Sequence, residues 1–106
     1  MSHDARYPIN EVIELILRSP LLKSAADWYG FGSFFSDAEV FSDIDLLVVC
    51  DTLDAAITIR RESNMICSLW PIHVLIMTRA ECAETDFIVS EQCKPLLIAG
   101  TPIQLC

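Results

Sequence analysis

The sequence predicts one mixed α/β (α+β) domain with about four strands, and three observations carry that prediction. The chain has 106 residues, enough for a single core and too few for a catalytic domain plus a separate substrate domain. Two runs of branched apolar residues bounded by polar ones, Ile44 to Val49 and Ile72 to Thr78, have the length of strands rather than helices. Around them lie stretches with apolar residues at helical spacing, and no internal repeat or low-complexity tract interrupts residues 1–106.

Taken in order, residues 1–8 read as a frayed leader. Asn10 is the expected N-cap of a first helix, with Glu11 in its first turn and Ile9, Val12, Ile13 and Ile16 as an apolar stripe. That helix should end near Arg18, because Pro20 disfavours helical geometry at Ser19. Residues 21–26 then bridge, with room for one more turn, to an aromatic strand ending in Trp28-Tyr29-Gly30-Phe31. Asp43 to Cys50 reads as a strand buried on both faces. Thr52 or Asp54 caps a helix to about Asn64, with Ala55, Ala56, Ile59 and Met65 turned inward. Arg60 and Arg61 on this helix read as a solvated face within reach of a phosphate.

Trp70 and Pro71 lead into the strand from Ile72 to Thr78. Thr78 reads as the cap of the next helix, with Glu81 in the capping-box position, Cys82, Phe87 and Ile88 inward, and Glu84, Asp86 and Glu91 wet. Pro95 is expected to stop that helix, Leu96 to Ala99 to form a final edge strand, and Gly100-Thr101-Pro102 to turn into a short tail.

The chemistry concentrates between Phe31 and Val49. Strand alternation puts Asp43 and Asp45 on one face, roughly 7 Å apart along the backbone. Carboxylates so close repel each other, and a hard divalent cation between them reverses that penalty; Mg²⁺ favours one or two carboxylates plus substrate phosphates. Upstream, Gly32 can turn the chain sharply out of the aromatic strand, and Ser33 would open a helical turn. Free N–H groups there, with no Cβ on Gly32, would let a phosphate approach the backbone. The structural alternative for the two acids is a solvated strand mouth capping a neighbouring turn, although acids are depleted in strands.

Phe31-Gly32-Ser33, the intervening residues 34–41, and Ser42-Asp43-Ile44-Asp45-Leu46-Leu47-Val48-Val49 resemble the signature of the DNA polymerase beta-like nucleotidyltransferase superfamily, and most closely its minimal nucleotidyltransferases. The resemblance implies a polymerase beta-like palm fold, a small mixed sheet with helices mainly on one face. It implies Gly32 and Ser33 on the β and γ phosphates of a nucleoside triphosphate, ATP foremost, and Asp43 and Asp45 on Mg²⁺ or Mn²⁺. The implied reaction transfers a nucleoside monophosphate to an acceptor hydroxyl. In such minimal enzymes the acceptor can be a protein side chain, as in toxin-antitoxin pairs where the antitoxin modifies a HEPN-type toxin.

Two departures stand out. Phe34 and Phe35 occupy positions where relatives of this kind carry Arg and Gly, which removes a cation suited to gripping a triphosphate. Family members also supply a third carboxylate from the strand after Pro71-Ile72, and here that residue is His73. Imidazole suits Mn²⁺ or Zn²⁺ better than Mg²⁺, and His73 has a pKa range useful for a general base; a lone histidine is otherwise read as structural. Two readings follow: a metal-dependent nucleotidyltransferase with Asp43, Asp45 and His73 as catalytic residues, or a nucleotidyltransferase-like, antitoxin-like module that regulates a partner without turnover.

Composition bounds the partners. Fifteen acids against seven bases give a net charge of −8, which opposes direct nucleic-acid binding, since phosphate contacts need clustered Lys and Arg. Hydrophobic residues make up 53% of the chain and charged ones 21%, which suits a globular domain that hides surface against a protein partner or in a homo-oligomer. Cys50, Cys67, Cys82, Cys93 and Cys106 form no CxxC motif. With neither a signal peptide nor an apolar run of membrane length, they read as reduced thiols of a cytoplasmic protein.

Overall fold

The computed structural model describes residues 7–24, 26–32, 35, 44–69 and 71–103. Helix α1 (Tyr7–Arg18) begins earlier than the Asn10 cap would place it. Pro8 lies in its first turn, where a missing N–H costs no hydrogen bond, so Asn10 sits inside the helix and Glu11 beyond the first turn. The apolar stripe still decides what is covered, with Val12 and Ile16 buried and Ile13 packed beside them. Ser19 separates α1 from a short α2 (Pro20–Ser24), and its Oγ accepts the Leu22 N–H at 3.4 Å.

Strand β1 (Ala26–Phe31) is the third of five, and the order β3-β2-β1-β4-β5 makes it the middle of the sheet. Residues 26, 28 and 30 face one side of the sheet and 27, 29 and 31 the other. Trp28 is fully buried, and its Nε1–H donates to the Leu22 carbonyl at 3.0 Å, tying α2 to the strand. Gly30 is required by close approach: a Cβ there would overlap the Phe35 ring, which is itself buried.

Strand β2 (Ile44–Cys50) pairs antiparallel with β1 and parallel with β3 (Ile72–Thr78). The parallel pairing needs a crossover, supplied by α3 (Leu53–Leu69). Thr52 is its cap, with Oγ1 accepting the Ala55 N–H at 3.1 Å, and the helix runs past Asn64 because no Gly or Pro interrupts it before Pro71. Ile59 is buried, Ala55 and Ala56 pack against the core, and Arg60 and Arg61 are exposed.

As the near-continuous apolar run implied, β2 is buried on both faces. Leu46, Val48 and Cys50 join residues of α1, α2 and α3 in the larger core, while Leu47 and Val49 join Cys82 in a second. The second face is covered by α4 (Arg79–Thr85) and α5 (Phe87–Ser90), so the expectation of helices mainly on one face gives way to helices on both. The capping box is present: Thr78 Oγ1 accepts the Glu81 N–H at 3.2 Å, and Glu81 Oε1 accepts the Thr78 N–H at 3.0 Å. The single helix expected here is divided at Asp86, whose φ of 53° is left-handed, a conformation a short polar side chain tolerates. The bend lets Phe87 meet Phe31 edge to face at 5.2 Å.

Pro95 lies in β4 (Lys94–Ile98) rather than at a helix stop, since α5 has already ended at Ser90. Nor is β4 an edge. It pairs with β1 on one side and with β5 (Thr101–Pro102) on the other, through a turn in which Ala99 and Gly100 both have positive φ, the form that matches strand twist. The described residues thus form five strands where about four were expected. Among the described residues no helix is long and apolar enough to cross a membrane. Trp70 and the tail 104–106 lie outside the described residues, as do residues 1–6 of the expected leader.

Candidate functional site

Three of the five residues picked from the sequence come together at one end of the sheet, where β1 finishes and β2 and β3 begin. Gly32 follows directly on β1 with φ 80°, a backbone conformation that L side chains rarely adopt. The absent side chain also makes room: a Cβ built on Gly32 would overlap Asp45 Oδ2. Asp45 is the second residue of β2 and stands in register with Phe31 of β1 on one side and His73 of β3 on the other. His73 Nδ1 lies 3.5 Å from Asp45 Oδ1, with the two side chains 73% and 27% exposed. This exposure rules out a core histidine.

Why the chain folds this way locally follows from alternation and burial. Asp45 shares a face of β2 with Leu47 and Val49, which are buried in the second core. Phe31 beside it is anchored by Phe87, so Asp45 has an apolar wall on the β1 side and the imidazole on the β3 side. A carboxylate so placed gains from a cation or hydrogen-bond donor on its open side.

The other two picks, Ser33 and Asp43, lie outside the described residues, as does Phe34. Phe35 is described, and its N–H donates to the Gly32 carbonyl at 3.2 Å. Its ring fills the core over Gly30, which gives Phe35 a packing role. Among the described residues no group of three or more His, Cys, Asp or Glu side chains gathers as a metal cage. Asp45 and His73 form a pair, one oxygen and one nitrogen donor, a set that accommodates Mn²⁺ more readily than Mg²⁺.

A second polar cluster sits on the same face at the opposite end of the sheet, and sequence reading missed it. Arg79, at the start of α4, donates from Nη1 to Asp27 Oδ2 at 2.9 Å and from Nε to Asp51 Oδ1 at 2.6 Å. Asp27 is largely buried, and its Oδ1 accepts the Ala99 N–H at 2.9 Å. One guanidinium thus joins β1, the end of β2 and α4, while Asp27 holds the β4–β5 turn. The hydrogen bonds to Asp27 and then Asp51 raise the Arg79 pKa further, and it is charged at any ordinary pH. An acid in the strand Ala26–Phe31 was the available signal, because acids are depleted in strands.

Beside this clasp an open groove of about 380 Å³ is lined by Tyr29, Val49, Cys82, Ile88 and Val89, with Arg79 and Asp86 at its polar margin. Burial, and then the charge of Asp27, raises the Tyr29 pKa. Burial likewise pushes the Cys93 thiol up to about 11, and raises those of Cys50 and Cys67. The four described cysteines are free thiols, two of them buried.

Compared with protein-family models, with curated proteins and with solved structures, the chain matches none.

Proposed function

We propose that this chain binds a nucleoside triphosphate, ATP foremost, together with Mg²⁺ or Mn²⁺, and transfers the nucleoside monophosphate to an acceptor hydroxyl with release of pyrophosphate. The observation that supports this reading is the meeting of Gly32, Asp45 and His73 at one end of three adjacent strands, with the glycine, just past β1, lacking a Cβ where the carboxylate stands. In this reading Gly32 and Ser33 receive the β and γ phosphates at the backbone. Asp45, with Asp43, holds the cation, which when bound offsets phosphate charge and orients the phosphoryl group. His73 stands beside Asp45 as the proton acceptor for the attacking hydroxyl, in place of a third carboxylate. Positioning and electrostatics supply most of the rate.

A second reading rests on the same imidazole. With His73 paired to Asp45, the fold can keep nucleotide affinity without turnover and serve as a binding module that regulates a protein partner, of which a HEPN-type toxin is one candidate. Incubation with each nucleoside triphosphate, Mg²⁺ or Mn²⁺ and any co-purifying protein, followed by intact-mass spectrometry, separates the two. A nucleotidyl adduct that disappears in Asp45→Ala supports the enzyme. Nucleotide-dependent thermal stabilisation without an adduct under either metal supports the module, and neither effect at saturating nucleotide sinks both.

A further inference from the structure

Helix α5 is fixed more firmly than its own burial explains. It has four residues, too few for a helix to stand by itself, and Val89 and Ser90 on it are exposed. Left-handed, non-glycine residues flank it on both sides, Asp86 and Gln92, each with φ 53°. Its end is closed by the Gln92 N–H donating to the Val89 carbonyl at 3.2 Å and the Cys93 N–H donating to the Ile88 carbonyl at 2.9 Å, the paired bonds of a cap that ordinarily uses glycine. The Phe87 carbonyl accepts the Glu91 N–H at 2.9 Å and, weakly, the Cys93 thiol at 3.9 Å. What these bonds fix is the place of two half-buried side chains, Phe87 and Ile88. Phe87 meets Phe31 edge to face at 5.2 Å, and Phe31 stands in register with Asp45 on the same face of the sheet. Cross-strand neighbours on one face have Cβ atoms about 5 Å apart, so the Phe31 ring limits where the Asp45 carboxylate can turn.

We propose that Phe87 is a positioning residue for the site: acting through Phe31, it keeps Asp45 in the rotamer that lies over Gly32 and beside His73. Without its ring, Phe31 loses its edge-to-face partner and turns more freely, the wall beside Asp45 shifts, and the carboxylate samples other staggered rotamers. The broken helix thus has a use that core cover alone does not require, since the left-handed bend at Asp86 is what carries the Phe87 ring to the strand end. The orientation of Asp45 stands whether or not the chain binds nucleotide, whereas the effect on turnover rests on the nucleotidyl-transfer reading. In that reading, a carboxylate spread over several rotamers holds the cation and the phosphoryl group in line with the attacking hydroxyl for less of the time.

Side-chain NMR of the full chain reads this directly. Three-bond couplings about the Asp45 Cα–Cβ bond should report one staggered rotamer in the wild type and in Phe87→Tyr, which keeps the ring, and averaged values in Phe87→Leu. Val49→Ala is the control: it removes bulk from the same core roughly 13 Å along β2 from Asp45, and should lower Tm while leaving the Asp45 couplings unchanged. Averaged couplings in the wild type, unchanged couplings in Phe87→Leu, or equal averaging in Val49→Ala overturns the proposal. Where the wild type transfers nucleotide, kcat in Phe87→Leu should fall on the order of tenfold to a hundredfold with KM little changed, and Phe87→Tyr should restore it. A wild type with a single Asp45 rotamer but neither nucleotide binding nor transfer removes the nucleotide reading and leaves the positioning role standing. Should Phe87→Leu fail to fold, nuclear Overhauser contacts in the wild type decide: cross-peaks from the Phe31 ring to both Phe87 and the Asp45 Hβ protons support the proposal, and a ring that reaches Phe87 without reaching Asp45 refutes it.

Discussion

Replacing Gly32 by alanine probes the corner on which the candidate site depends, because two independent costs meet there. The backbone holds φ 80°, and an L side chain in left-handed geometry costs about 1–2 kcal/mol. The new Cβ would also overlap Asp45 Oδ2, so the carboxylate must leave its rotamer, at about 0.5–1.5 kcal/mol, and with it its position 3.5 Å from His73. Gly32→Ala should therefore lose about 2–3 kcal/mol of stability, a fall in Tm on the order of 10–15 °C for a domain of this size. Urea unfolding of Gly32→Ala, Asp45→Ala and the double variant separates the two costs. In the Asp45→Ala background the overlap is gone, since Asp45 Cβ lies 3.5 Å from the built atom, and only the backbone cost of about 1–2 kcal/mol should remain. An equal cost in both backgrounds would show that Gly32 and Asp45 do not meet, and would remove the geometry on which the proposed nucleotide binding rests.

Other expectations are as direct. Arg79→Ala leaves the largely buried Asp27 without its cation, still accepting the Ala99 N–H, and should cost about 2 kcal/mol, below the range for fully buried pairs because Arg79 is 53% exposed. Asp51→Ala should cost well under half as much, with Asp51 75% exposed, and chemical denaturation orders the two. With the Cys93 thiol raised from 9.0 to about 11, the folded state holds that proton where the unfolded chain has lost it. Its contribution to stability is thus complete below pH 9 and disappears between about pH 9 and 11, and alkylation of Cys93 in the native protein should have its midpoint near the upper value, as peptide mapping after iodoacetamide will show. His73→Asp should be tolerated structurally, given an exposed side chain, and should raise nucleotidyl transfer if a third carboxylate is what the site lacks. Complete loss of transfer instead makes the imidazole part of the chemistry.

Much of the local structure was legible without coordinates because it depends on residues a few positions apart. The Thr78–Glu81 capping box, the Thr52 cap and the span of β3 are decided by neighbours in sequence, and each appears as expected. Where local signals competed, tertiary packing chose. Asn10 is a good cap, yet the helix starts at Tyr7 with Pro8 in its first turn. Pro95 is a helix breaker, yet Asp86 had already bent the helix so that Phe87 could reach Phe31. Asp27 went unread because its partners, Arg79 and Ala99, are 52 and 72 residues away.

From its sequence alone this protein has a both-faces-buried strand headed by an acid, a glycine corner upstream and a histidine early in a later strand, since composition and spacing carry that information. Only the tertiary structure decided that these are neighbours. The antiparallel register that sets Phe31 against Asp45, the parallel register that sets Asp45 against His73, and with them the approach of Gly32 to the carboxylate all arise from strand order. Strand order is a property of long-range pairing, which no window of residues along the chain contains.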